Sequence, residues 1–225
     1  MSDMIALVPM RHHSQRVPGK NFRPLAGKPL FHYIISTLLE VPGIREIIVD
    51  TDSPIIKKGL ASHFPSVTVL DRPEDLCGDA VSMNEIISHD LTQRNADFFL
   101  QTHSTNPFLK AETISTAIER FFQGFPDFDS LFSVTRLYTR LWTEEGSAIN
   151  HDPSELLQTQ DLPPLYEENS CLYIFSKSDF IAQHHRIGKE PFLYEIEPEE
   201  AWDIDTELDF QIADCLMEHK KEEER

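Results

Sequence analysis

Met4-Ile-Ala-Leu-Val-Pro-Met10, followed at once by Arg11-His-His-Ser-Gln-Arg-Val-Pro-Gly-Lys-Asn21, is the stretch on which the fold turns. A short apolar run that ends in a polar loop bearing Gly and Pro predicts a strand buried on both faces, as in a parallel sheet. A helix should follow, and residues 29–40 supply one. Pro29 stands at its start, and Leu30, Ile34, Ile35, Leu38 and Leu39 form one apolar face. The alternation continues along the chain. Strands are expected over 45–50, 66–70, 97–101, 131–135, 168–175 and 192–196. Helices are expected over 54–63, with Ser53 as N-cap and Pro54 at the first position, and over 82–93, 110–122, 177–184 and 206–216. In the last helix Leu208, Ile212, Ala213 and Leu216 form the expected inner stripe, and 220–225 reads as a solvated charged end. Strands and helices alternating at these lengths predict one α/β domain over 1–225, a Rossmann-like, mostly parallel sheet with helices on both faces. Between 138 and 168 the period changes around a turn at Glu145-Gly146, which predicts an inserted hairpin arm.

Composition narrows the function. Against 38 Asp and Glu stand 20 Lys and Arg, a net charge of −18. That balance excludes a broad nucleic-acid or anionic-membrane surface, so any polyanion must be met locally. The first apolar run is too short to span a bilayer and lacks the flanks of a secretory signal, so a cytoplasmic protein is expected. Cys77, Cys171 and Cys215 form no CxxC pair, which predicts reduced, mostly buried thiols. His12-His13 and His184-His185 are adjacent in sequence, a spacing that suits chelation poorly. His103 is expected to face solvent.

The local positive charge is in one place. Arg11, Arg16, Lys20, Arg23 and Lys28 fall within 11–28, about three times a uniform share of the chain's Lys and Arg. They follow the first strand at its carboxyl end, where open parallel sheets place ligands, and Gly19 and Gly27 let the backbone approach closely. Two readings stand: a triphosphate site, or a solvated loop paired with nearby carboxylates. Neither GxxxxGK[ST] nor GxGxxG is present. Near the other end, Asp203 and Asp205 are two apart, so an extended backbone points both carboxylates one way, as a hard cation requires. The same pair would also serve as an acidic cap for the last helix.

The run from Ile5 to Asn21, with Leu25-Ala-Gly-Lys-Pro-Leu30, resembles the opening P-A-R-x-x-S-K-R-x-P-x-K-N of the acylneuraminate (CMP-sialic acid) cytidylyltransferases. Further matches follow in order: Asp52-Ser53, Arg72-Pro73 with Asp79 and Ser82, Gln101, Tyr166, Asn169, Tyr173 and Asp203-Ile-Asp-Thr-Glu-Leu-Asp-Phe210. The resemblance implies a nucleotide-diphospho-sugar transferase type of α/β fold with a dimerising arm. It implies that CMP passes from CTP to an acidic sugar in a Mg²⁺-dependent reaction that releases pyrophosphate. Arg11 and Lys20, with Arg16 as a further basic group, would bind the triphosphate. Ser14 and Asn21 would seat the cytidine, and Arg72 and Ser82 would make further nucleotide contacts. Gln101, Asn169 and Tyr173 would face the acceptor, and Asp203 and Asp205 would hold Mg²⁺. A homodimer is implied, with no nucleic-acid or membrane partner.

The chain departs from the family's pattern at three places. Gln15 stands where the family usually has Lys. Gln101-Thr-His-Ser-Thr-Asn-Pro107 replaces Q-P-T-S-P, and Gln158-Thr-Gln-Asp-Leu-Pro163 replaces R-R-Q-D-L-P, which removes basic residues expected near a sugar carboxylate. The acceptor therefore stays open among nonulosonates, an octulosonate, and a phosphonate or phosphorylated compound. A nucleotide-binding homologue without turnover is the alternative from another class.

Overall fold

The structure is a computed structural model and describes residues 4–223. In chain order its elements are β1 (Met4–Leu7), β2 (Pro24–Leu25), β3 (Lys28–Pro29), α1 (Phe31–Glu40), β4 (Ile44–Thr51), α2 (Pro54–His63), β5 (Thr68–Asp71), α3 (Met83–Thr92), β6 (Phe98–Thr102), α4 (Ala111–Gly124), β7 (Ser130–Leu137), β8 (Leu165–Ser176), α5 (Lys177–Gln183), β9 (Pro191–Glu195) and α6 (Glu207–Glu223). Seven strands form one sheet in the order β5-β4-β1-β6-β8-β7-β9. Every pairing is parallel except those of β8, which runs against both β6 and β7. The expected α/β architecture is therefore present, with one reversed strand inside the sheet.

The first strand is apolar throughout because both of its faces are covered. Met4, Ala6, Val8 and Met10 pack toward α1, α2 and α4, in a core that includes Phe31, Ile35, Leu60 and Phe121. Ile5 and Leu7 point the other way, toward Ile87 and Leu91 of α3 and Phe180 of α5. Ladder contacts continue past Leu7, since Val8 N–H donates to Ile48 O at 2.8 Å and Met10 N–H to Asp50 O at 2.9 Å. The loop that follows is thus held at the carboxyl end of the sheet. From β1 the chain steps to β4 and β5 on one side and returns to β6 on the other, and this reversal opens a crevice at the carboxyl ends of β1 and β6.

Local signals acted as the residues suggest. Ser53 Oγ accepts from Ile56 N–H, with Pro54 opening α2. Ala26 and Gly27 take positive φ in the turn between β2 and β3. Beyond Leu137, which pairs with Leu165, the chain runs out into a tip where Gly146 has φ +81° and Trp142 bridges Ala148. Asn150 ties the limbs together, accepting from Leu141 N–H at 2.9 Å and donating to Thr139 O at 2.8 Å.

Three expectations need correction. In α6 the buried residues are Phe210, Ala213 and Met217, whereas Leu208 and Leu216 are exposed. The helix rests on the loop residues Val17, Leu25 and Leu30 and on Phe108, so its inner face is rotated from the one an open sheet would select. The charged end is helical to Glu223 and anchored, with Lys220 paired to Glu199 and Lys221 donating to Ala26 O; residues 224–225 lie outside the described residues. Of the three free thiols only Cys171 is buried, while Cys77 is half-buried and Cys215 exposed.

Candidate active site

The crevice holds a cavity of about 530 Å³ whose wall includes Arg11, Ser14, Arg16, Lys20, Asn21, Arg72, His103, Ser170, Arg186, Asp203 and Asp205. Pro9, Leu76, Val81, Met83 and Ile86 give it an apolar side.

The basic loop divides. Arg11, Arg16 and Lys20 line the cavity, whereas Arg23 and Lys28 do not. Arg23 forms a bidentate pair with Glu207, at 2.6 and 2.7 Å, and lies over the Phe210 ring, which fastens α6 to the loop. The loop's shape depends on Gly19, whose φ is +66° and whose missing Cβ would lie 2.8 Å from the Phe22 ring. Buried Asn21 then closes it, donating to Arg11 O at 2.8 Å and accepting from Ser104 Oγ at 2.7 Å. The cations facing the cavity meet carboxylates. Arg11 donates to Asp79 at 2.6 Å and Arg16 to Asp205 at 2.8 Å, while Lys20 lies 3.5 Å from Asp205 and donates to Ile204 O. Burial lowers the pKa of Lys20, against the pull of Asp203 and Asp205.

Asp203 and Asp205 both reach the cavity, and between them Ile204 is buried with its N–H donating to Thr105 O at 3.0 Å. Asp203 Oδ1 is buried and accepts no hydrogen bond. Burial first, and then the charge of Asp205, raise the Asp203 pKa. The helix-cap function falls elsewhere: Asp209 Oδ2 accepts from Thr206 N–H at 2.7 Å and Asp205 N–H at 3.2 Å. With the capping done by Thr206 and Asp209, the Asp203/Asp205 pair is left free to face the cavity. An unpartnered carboxylate oxygen beside a second carboxylate is a donor set that suits a hard divalent cation.

Arg72 lines the cavity, but its Nε donates to Asp50 and its Nη2 to Asp50 O at 3.2 Å. Both oxygens of buried Asp90 lack hydrogen-bond partners beside Asp50. Burial, reinforced by Asp50, pushes the Asp90 pKa up to about 8. Asp50, His89 and Asp90 present ligand atoms within 4.8 Å of one another. The guanidinium of Arg72 already pairs with Asp50, and Asp90 beside it is held toward its neutral, protonated form.

Gln101 and Tyr173 face each other across the β6–β8 pairing. Gln101 Oε1 accepts from Arg186 Nη1 at 2.6 Å, and Tyr173 Oη donates to Glu168 at 2.5 Å. None of the three expected acceptor residues is in the cavity wall: Gln101 and Tyr173 are buried behind Arg186, and Asn169 has another role. Its amide ties a bulge in β8, accepting from Ser133 Oγ at 2.6 Å and donating to Thr135 Oγ1 at 2.9 Å, and the bulge turns Ser170 (φ +59°) into the cavity instead. Ser82 also stays out of the wall; it caps α3 in a box with Glu85. His103 was expected in solvent and instead lines the cavity, with Nε2 accepting from Gln101 Nε2 at 3.1 Å. Burial, with help from Arg186 and Lys20, lowers its pKa to about 3, so the ring is neutral. Arg186 carried no motif signal; the turn after α5 brings it in.

Residues 5–224 match the family described as Cytidylyltransferase. The chain is 31% identical over 234 residues to the CMP-N,N'-diacetyllegionaminic acid synthase of Legionella pneumophila, covering 97% of this chain and 98% of the relative. It is 26% identical over 230 residues to the N-acylneuraminate cytidylyltransferase of Escherichia coli, covering 96% of this chain and 52% of the relative, so it spans about half that protein's length. In fold it is similar to a CMP:2-keto-3-deoxy-manno-octonic acid synthetase solved with CTP, at a TM-score of 0.71 and 15% identity over 97% of this chain and all of that one. By a match along nearly its whole length, the chain belongs to the cytidylyltransferase family.

Proposed function

We propose that this protein transfers the cytidylyl group of CTP to a hydroxyl of a small sugar acid of the nonulosonate or octulosonate class, releasing pyrophosphate. The observation that carries this reading is the composition of one cavity wall, where Arg11, Arg16 and Lys20 stand beside the Asp203/Asp205 pair at the carboxyl end of β1. The named relatives, from the diacetyllegionaminic to the ketodeoxyoctonic acid enzymes, support an acid sugar as acceptor.

The chemistry follows from charge. The acceptor hydroxyl gives its proton to a carboxylate of the wall or to water, its oxygen forms a bond to the α-phosphorus, the bond from that phosphorus to the bridging oxygen breaks, and pyrophosphate leaves with both electrons. Negative charge grows on the phosphoryl and departing oxygens, so fixed cations stabilise the transition state. Arg11 and Arg16 would exchange their carboxylate partners for phosphate oxygens, and Lys20 is held by Ile204 O beside them. Ser14 and Asn21, with the apolar side of the cavity, would seat the nucleoside. Asp203 and Asp205 would hold Mg²⁺, which supplies neutralisation of the triphosphate and of the leaving group.

The arm presents Trp142 at 51% and Leu156 at 93% exposure, with Tyr138, Ile149 and Tyr166 also exposed. Apolar surface of this kind supports a homodimer that covers it.

Pyrophosphate release from CTP, measured with Mg²⁺ and a panel of nonulosonic, octulosonic, phosphonate and sugar-phosphate acceptors, tests the reading. Release only with carboxylic sugars is expected, and substitution of UTP or ATP for CTP should remove it. Release only with phosphonates would move the acceptor class, and binding of CTP without release from any acceptor would leave a non-catalytic homologue.

A further inference from the structure

Arg186 lies in the turn between α5 and β9, outside the motifs that carry the family resemblance. Its side chain is 14% exposed and crosses the cavity wall with Cζ 3.5 Å from the centre of the Tyr173 ring. Nη1 donates to Gln101 Oε1 at 2.6 Å. Nη2 stands 3.9 Å from Glu168 Oε1, beyond hydrogen-bond reach. The backbone N–H donates to Asn84 Oδ1 at 3.2 Å, which fixes the turn against α3.

A guanidinium carries about five N–H donors in one plane. Among the described residues only Gln101 accepts from one of them, so a largely buried cation keeps open donors at a cavity wall. The remaining groups at this end do not neutralise it fully. Glu168 is shared with Tyr173 Oη, and His103 is a neutral ring held by Gln101. The other cations of the wall have different partners: Arg11 has Asp79, Arg16 and Lys20 have Asp205, and Arg72 has Asp50. The cavity therefore has two cationic regions of different kinds, a cluster on the β1 loop paired with carboxylates and a single stacked guanidinium on the β6–β8 side.

We propose that Arg186 receives the carboxylate of the acceptor through its open N–H groups, with Gln101 and the Tyr173 ring holding the guanidinium in the plane that a bidentate pair requires. The inference rests on the cytidylyl-transfer reading of the same cavity and names the acceptor group recognised there. The missing basic residues of 158–163 are thus replaced from another part of the chain. A neutral sugar would leave the buried cation unpaired and be rejected.

The test is calorimetric titration of the full chain, loaded with a CTP analogue bearing a methylene between the α and β phosphorus atoms. The titrants are N-acetylneuraminic, N,N'-diacetyllegionaminic and 2-keto-3-deoxy-manno-octonic acids, each paired with its carboxamide. Wild type should bind at least one acid roughly 30- to 1,000-fold more tightly than its carboxamide, as loss of one partner from a buried charge pair implies. Arg186→Met should bind both forms of that sugar equally weakly, with affinity for the CTP analogue within about threefold of wild type, because no nucleotide contact is removed. Arg186→Lys keeps the charge without the fork, so about tenfold of the preference should disappear. It also decides the matter should the Met variant fail to melt cooperatively. A carboxylate preference undiminished in the folded variants, or none in wild type for any pair, overturns the proposal. Carboxylate-selective binding without cytidylyl transfer would remove the catalytic reading and leave the role of Arg186 intact.

Discussion

Lys20 concentrates the site's electrostatics in one side chain. It is 12% exposed, lies 3.5 Å from Asp205 and feels the charge of Asp203, so it would meet a triphosphate already largely desolvated. Replacement by Met should lower kcat by roughly 10²- to 10³-fold, as for loss of one preorganised charge donor, measured by pyrophosphate release at saturating CTP. Asp205→Ala should lower it at least as far, and raising Mg²⁺ should not restore it. Asp90 makes a prediction about stability. Burial beside Asp50 raises its pKa in the folded state to about 8 from the ordinary carboxylate value of 3.8. Between those values the folded state keeps a proton that the unfolded state releases, so its stabilising contribution is full in acid and declines as pH rises toward 8. Asp90→Asn, which stays neutral, should raise the melting temperature at pH 8 and change it little at pH 4. An equal shift at both values would reject a protonated Asp90 in the folded state. At this scale Arg11, Lys20, Asp203 and Asp205 were legible because charge clustering and motif order mark them. Arg186, His103 and Ser170 were not, because strand register, a bulge and a turn bring them in from segments that carry no local signal.

Among elements, the loop after β1 is the part whose conformation the chemistry needs most. Gly19→Ala places a side chain at φ +66° and against Phe22, which stacks on His12. A left-handed conformation costs a non-glycine residue about 1–2 kcal/mol, and the displaced ring adds to it. Weaker CTP binding should accompany the loss of stability, readable by titration and thermal melting of the same variant. The capped helices show how far local rules extend: Ser53 and Pro54 mark the start of α2 in the sequence, and His12 Nδ1 adds a tertiary contact to the same hydroxyl at 2.8 Å. The face of α6 shows where they end. Its partner is a loop fastened by Arg23 and Glu207, so a periodicity chosen for a sheet selected the wrong stripe. The reversed direction of β8 was likewise beyond pattern reading, because strand direction depends on where the arm returns the chain.

For the whole molecule, a net charge of −18 repels polyanions except at the one cavity where cations gather. Raising ionic strength should therefore weaken CTP binding more than acceptor binding, since Arg11 and Arg16 are exposed and Arg186 is not. If the arm pairs two chains, Trp142→Ala combined with Leu156→Asp should convert a dimer to a monomer in sedimentation at micromolar concentration. No helix among the described residues is long and apolar enough to cross a membrane. On the proposed function, one cavity joins a cytidylyl group to an acid sugar. Incubation with CTP labelled at the α-phosphorus, Mg²⁺ and the panel of acid sugars tests it most directly. The label should move into a CMP-sugar in step with unlabelled pyrophosphate, and Asp205→Ala should abolish both. Label that stays in CTP with every acceptor, or appears as free CMP at a rate independent of the sugar, would contradict it.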